Sequence, residues 1–201
     1  CKLVSADDEK NVYESSDGYK ITAYHIKKGD VFECYTVFEN NTDSVVTLDM
    51  ISSFAITDLD FDTLHRATSF WSAEGKMLSQ KLTELNMERS WSRHGIRIEK
   101  FGQVGSMPVR KWFPFVAIEN SKKNEFIGVQ LYIPSSWQIE LFRHKDPLTL
   151  LGGLADFDYG HWCKEIKPNE SFTTPKAVVA VGDSLLKVCD MLVKTQKPDI
   201  S

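Results

Sequence analysis

GQVGSMPVRKWFPFVAIE, residues Gly102–Glu119, decides how this chain is read. A turn-rich start, with Gly102, Gly105 and Pro108, gives way to bulky aromatics and then to an alternating apolar run. Two later stretches repeat the pattern: GVQLYIPSSWQIELFR (Gly128–Arg143) and LGGLADFDYGHWCKEIKPNESFTTP (Leu151–Pro175). Each is strand-like and is interrupted by Gly, Pro, Ser and Asn, which favour turns. The reading is an antiparallel β-sandwich whose ends carry many Trp, Arg and His side chains. Such ends suit a flat polar ligand or a partner domain better than a self-contained active site.

Working outward, Tyr19–His25 and Val31–Glu39 flank Lys27-Lys28-Gly29-Asp30, a hairpin signal. Phe32, Cys34 and Phe38 fall on one face of the second strand. Asn40-Asn41-Thr42-Asp43 reads as a turn, followed by one or two runs over Val45–Ile56. Further strands are expected at Leu64–Trp71, Lys81–Leu85, Ile96–Phe101, Phe115–Glu119, Phe126–Pro134, Trp137–Arg143 and Leu148–Leu151. Cys163–Ile166, Ser171–Thr174 and Ala177–Val181 complete the set. The period changes once. In Asp183–Lys194, Leu185, Val188, Cys189 and Leu192 take helical spacing, with Asp183 or Ser184 placed to cap the start. The expected organisation is a polar tail or loop over 1–18, a sandwich over 19–182, and a closing helix and linker over 183–201.

The chain has 201 residues, enough for a full core in one all-β domain. Its 42% hydrophobic and 11% aromatic content argue against disorder. A net charge of −4 of mixed sign points away from nucleic acid. No apolar run approaches the ~20 residues that span a bilayer. Cys1, Cys34, Cys163 and Cys189 lack metal-site spacing. Free, buried thiols are favoured over disulfides, which favours a reducing cytoplasm.

Motifs for chemistry are few. Asp58, Asp60 and Asp62 alternate in TDLDFD and would share one strand face, where three carboxylates could hold calcium. The Gly and closing Glu of a calcium loop are missing, so a solvated face or loop is favoured and no metal is expected. Asp146, Asp156 and Asp158 are the carboxylates that could pair for glycoside hydrolysis, although ADFDYG reads as a loop. His25, His65, His94, His144 and His161 show no metalloprotease spacing, and neither a nucleophile elbow nor a phosphate loop occurs. Trp71, Trp91, Trp112, Trp137 and Trp162 lie near Glu74, Arg89, Arg93, Arg110, Arg143 and His161. Each Trp can stack on a sugar or pack in a core with its N–H satisfied. Packing is favoured for any one of them, and a contact role for at least one of the five.

Three stretches carry a resemblance: PVRKWFPFVAIE, GVQLYIPSSWQIELFR and GGLADFDYGHWCKEIKPNESFTTPKAVVAV. Together with LHRATSFWSAEG, they resemble the N-terminal domain of glycoside hydrolase family 36 α-galactosidases, the melibiases. The resemblance spans roughly residues 19–198. It implies a galactose mutarotase-like β-supersandwich that precedes a catalytic (β/α)₈ barrel. In the family, the barrel supplies both catalytic Asp residues of a retaining mechanism. No catalytic residue and no cofactor is therefore expected in this chain, which would be inactive alone.

By the same resemblance, Trp71 in SFWSAEG matches a Trp that reaches the mouth of the sugar pocket, with Glu74 as its neighbour. The sequence departs from the family in reading PVRKWFPF where many relatives carry a Ser/His/Asn-rich loop. The implied partners are the barrel of the same enzyme and an α-galactoside, with no nucleic acid and no membrane. The closing helix and the loop around Trp112-Phe113 are expected to present an apolar face to the barrel, through which an isolated chain could self-associate into a homo-oligomer. The rival reading is a free-standing carbohydrate-binding or adaptor module. A third, an independent lyase or mutarotase-like enzyme on a related sandwich, needs His or carboxylates clustered in a groove.

Overall fold

The structure is a computed structural model and describes residues 1–88, 95–107 and 109–196. Sixteen strands and two helices are present among them. The first eight strands are β1 (Lys2–Ala6), β2 (Lys10–Glu14), β3 (Tyr19–Lys28), β4 (Val31–Asn40), β5 (Val46–Leu48), β6 (Ser52–Leu59), β7 (Thr63–Ala67) and β8 (Met77–Lys81). They are followed by β9 (Ile96–Gln103), β10 (Phe115–Asn120), β11 (Glu125–Leu131), β12 (Trp137–His144) and β13 (Leu148–Leu154). A four-residue helix α1 (Phe157–Gly160), β14 (Lys164–Ile166), β15 (Ser171–Thr173), β16 (Ala177–Gly182) and α2 (Leu185–Lys194) end the chain's elements.

Strand pairing is antiparallel throughout. A 10-stranded sheet runs β1-β2-β3-β4-β16-β11-β10-β7-β8, with β15 also on β4. A 4-stranded sheet runs β6-β13-β12-β9, and β14 and β5 form a separate ribbon. The fold is thus all-β, two large sheets face to face with one C-terminal helix outside, as expected.

Period-two alternation sends one set of side chains between the sheets. Leu64, Val116, Ile118, Val129, Leu131 and Val179 of the large sheet meet Trp137, Ile139, Leu141, Leu148 and Leu150 of the small one. Trp137 is fully buried, so its indole packs the core. Burying each such side chain contributes about 1.5–3 kcal/mol. The alternate residues face the other way, where Ala67, Phe115, Ala117, Phe126, Val178 and Ala180 pack with Val188 and Leu192 of α2. Ser184 caps α2, its Oγ accepting from the Lys187 N–H at 3.3 Å. The helix fits closely because β11 offers Gly128. A Cβ there would lie 3.1 Å from the Val188 side chain.

The β3–β4 hairpin turns through Gly29, whose φ of 61° needs no Cβ. Asn40 ends β4. Its Nδ2 donates to the Ser44 and Ile166 carbonyls at 2.8 and 2.9 Å, and its Oδ1 accepts from the Thr42 N–H at 3.0 Å. The expected turn is therefore built by the Asn side chain, which also ties it to β14.

Several expectations are corrected. Residues 1–18 are not a tail or loop: they hold the β1–β2 hairpin, which extends the large sheet through β2–β3. Their polar composition fits because β1 is an exposed edge strand, solvated on its faces. The strand expected over Leu64–Trp71 ends at Ala67. Lys81–Leu85 begins at the last residue of a strand and continues as turns, because Leu82 is buried as a single anchor and not as one of a series. Cys163 is exposed and not buried, whereas Cys34 is buried and Cys189 half-buried. The linker residues Lys197, Pro198 and Asp199 lie outside the described residues, as do Arg89, Trp91, Arg93 and His94.

Candidate functional site

The loop joining β7 to β8 combines tight bracing with an exposed aromatic apex. It leaves β7 at Thr68, whose N–H donates to the Lys76 carbonyl and whose carbonyl accepts from the Gly75 N–H, each at 2.9 Å. The Thr68 hydroxyl donates to the Ala73 carbonyl at 2.7 Å, and the Ala73 N–H to the Phe70 carbonyl at 2.9 Å. Ser72 and Gly75 take positive φ, 62° and 74°, which closes the loop. Two bonds tie it to the segment before β10: Ser69 N–H to the Lys111 carbonyl at 2.9 Å and Phe113 N–H to the Ala67 carbonyl at 3.0 Å. At the apex Trp71 is 92% exposed and Phe70 50%. Glu74 is exposed on the same loop. The loop thus places an indole in water on a scaffold with little conformational freedom, an arrangement in which contact with a ligand or partner costs little ordering.

Beneath this loop, Arg66 on β7 points into the sandwich. Its guanidinium lies 4.8 Å from the Trp112 ring centroid and 5.0 Å from that of Phe101. Nη1 donates to Glu99 Oε1 at 2.6 Å, and Nη2 donates to Gln80. A buried cation held between two aromatic faces and a carboxylate is paired and stacked at once. Trp112 therefore serves as a packing partner for Arg66 as well as for Phe101.

The carboxylates proposed from sequence separate in space and in role. Asp156 caps α1, accepting from the Tyr159 N–H at 2.7 Å, and its other oxygen accepts from Lys100 Nζ at 2.7 Å and Gln138 Nε2 at 2.9 Å. Burial pushes its pKa up, but the bonds from Lys100, Gln138 and Tyr159 outweigh that and hold it below the ordinary carboxylate value. Such a group stays ionised and acts as a structural anchor. Asp146 and Asp158 are exposed.

Asp58 sits in β6 at φ 57°, so TDLDFD does not run as one strand. Asp62 instead accepts from Lys81 at 2.8 Å and from the Ser121 N–H and hydroxyl at 2.9 and 2.7 Å. Among the described residues no group of three or more His, Cys, Asp or Glu is arranged to hold a metal.

The histidines also scatter. His144 and His161 are exposed, and His25 lines a groove. That groove, about 720 Å³, opens where β2–β4 extend past the small sheet; Tyr13, Phe32, Cys34, Thr36 and Phe54 also line it. A second hollow of about 430 Å³ lies among Phe61, Lys81, Met87, Lys122 and Arg143. Trp71 and Glu74 line neither, and they stand apart from Asp156 on different elements.

His65 is buried on the outer face of the large sheet, bonded to Ser79 and Glu119. Sequence reading missed this trio and the Arg66–Glu99–Gln80 cluster. The His65 trio is joined by β7–β8 and β7–β10 pairing, whereas the Arg66 cluster reaches from β7 and β8 across the sandwich to Glu99 on β9 of the small sheet, and no local spacing announces either.

Comparison places the fold. No family model and no curated protein matches the chain. Solved structures do. The α-galactosidase AgaB of family GH36 from Geobacillus stearothermophilus superimposes with a TM-score of 0.71 at 17% identity, over 87% of this chain and 23% of that one. AgaA from the same organism gives 0.71 and 17%, over 89% and 24%. A putative aldose 1-epimerase from Escherichia coli K12 gives 0.51 and 16%, over 90% and 68%. The chain spans about a quarter of the length of the α-galactosidases it matches. It therefore has the fold of a domain-sized portion of the GH36 α-galactosidases, an antiparallel supersandwich that the aldose 1-epimerase also shares.

Proposed function

We propose that this chain is the non-catalytic N-terminal supersandwich domain of an α-galactosidase-like glycoside hydrolase. In this reading a catalytic barrel in the same enzyme cleaves terminal α-galactosides with retention, and Trp71 reaches the mouth of its sugar pocket with Glu74 beside it. The observation that carries the proposal is the 92% exposure of Trp71 at the apex of a braced loop, on a fold shared with GH36 enzymes. An indole face offers C–H stacking to a galactosyl ring, and the Glu74 carboxylate can accept from its hydroxyls. Leu186 and Val193 of α2, 81% and 63% exposed, are the apolar surface we assign to barrel docking or, in the isolated chain, to self-association.

Among the described residues no helix is long and apolar enough to cross a membrane. The free thiols of Cys34 and Cys189 support assignment to the reducing cytoplasm. The test is hydrolysis of an aryl α-galactoside by the purified chain, alone and joined to a catalytic barrel. The proposal expects turnover in the joined form and none in the chain alone. Turnover by the chain alone that disappears with Asp156→Asn or Asp158→Asn would overturn it.

A further inference from the structure

On the face of the large sheet away from the sandwich core, three side chains on adjacent strands meet in line. His65 on β7 pairs directly with Ser79 on the edge strand β8, and Glu119 on β10 lies diagonally across, opposite Thr63. Ser79 Oγ is 2.8 Å from His65 Nδ1, and His65 Nε2 is 3.0 Å from Glu119 Oε2. We propose that Ser79, His65 and Glu119 form a nucleophile–base–orienting chain that makes Ser79 reactive toward activated acyl esters.

The chemistry of each atom sets its role. The Glu119 carboxylate accepts, so Nε2 carries the imidazole proton and donates it. Nδ1 is then left with a lone pair and accepts from the Ser79 hydroxyl. The His65 side chain is 6% exposed and that of Glu119 22%, whereas Ser79 is open to solvent. The base is therefore sheltered and the nucleophile is not, as covalent catalysis requires. The Phe126 ring, stacked 6.0 Å from His65, fixes the imidazole from the β11 side. Burial holds the His65 pKa below the ordinary imidazole value, against the opposing pull of Glu119 and Asp62, and Lys81 pushes it the same way as burial. The ring is neutral at neutral pH and free to take a proton.

In the acylation step the Ser79 oxygen bonds to the ester carbonyl carbon while its proton passes to His65 Nδ1. Collapse of the tetrahedral adduct breaks the bond to the leaving oxygen, which departs with the electron pair as a phenolate. Glu119 holds the resulting imidazolium, and its extra proton is lost to solvent. Water reverses the roles, adding its oxygen to the acyl carbon and returning a proton to Ser79. The net reaction is ester plus water to acid plus phenol.

This inference is independent of any carbohydrate role. Its test is the reaction of the full chain with p-nitrophenyl acetate, following phenolate release and mapping acetyl groups by peptide mass spectrometry. We expect one acetyl group at Ser79, forming faster than at Ser171, an exposed serine on β15. Ser79→Ala should abolish that label, and His65→Gln should slow it on the order of 10²-fold, the usual scale for general-base assistance. The rate should rise with pH along one ionisation below the ordinary imidazole range. Glu119→Gln should shift that ionisation, which loss of packing alone would not do. Circular dichroism confirms that each variant is folded. Acetylation confined to lysines, or a Ser79 that reacts no faster than Ser171, would overturn the proposal.

Discussion

Arg66 and Trp71, five positions apart, show how differently two neighbouring side chains can be used. Arg66 is 6% exposed and Trp71 92%. Replacing Arg66 by Ala removes a buried cation and its charged hydrogen bonds, while the half-buried Glu99 left behind is partly solvated, so equilibrium denaturation should show a loss of about 1.5–3 kcal/mol. Trp71→Ala should change stability by no more than about 0.5 kcal/mol, as exposed sites do.

Thiols divide in the same way. Burial, with Glu33 adding to it, pushes the Cys34 pKa up to about 11, so its thiol stays protonated. Alkylation at mildly alkaline pH, read by mass spectrometry, should therefore modify Cys163 and Cys1 well before Cys34.

Asp62 gives the pH prediction. Burial raises its pKa, but bonds from Lys81, Thr63 and Ser121 outweigh that and hold it well below the ordinary value of 3.8. The folded pKa is depressed, so the stabilisation is fully present above that value and is lost as pH falls through the folded pKa. Asp62→Asn should lower stability at neutral pH and flatten its decline in acid.

At the scale of elements, glycines set how closely layers approach. Gly128 sits under α2, and its replacement by Ala should cost about 1–3 kcal/mol as Val188 and Leu192 are forced outward. Thermal unfolding measures it. Chain regions with strict alternation and clear turns were legible from sequence: β3, β4, β10 and β12 fall where the pattern puts them, and so does α2. What failed had a physical reason. The β1–β2 hairpin hides in polar residues because an edge strand buries little. Trp71 reads as strand because aromatics favour strands, yet Thr68, Ser72 and Gly75 carry the chain into a loop. The His65 cluster depends on strand register and the Arg66 cluster on the packing of one sheet against the other, neither of which local sequence encodes.

Across the whole molecule, a large sheet outreaches its partner, leaving a groove at one side, while the braced loop with Trp71 stands on another edge. Nothing lining the groove brings paired carboxylates together among the described residues, and Asp156 is occupied by Lys100 and α1. The proposed function therefore rests on what the loop presents to a second domain.

The most direct measurement is steady-state hydrolysis of an aryl α-galactoside by the chain joined to a catalytic barrel, with and without Trp71→Ala. Loss of one stacked indole, about 0.5–1.5 kcal/mol by the scale of aromatic contacts, predicts KM raised about 2- to 13-fold with kcat within about twofold. An unchanged KM would contradict the account.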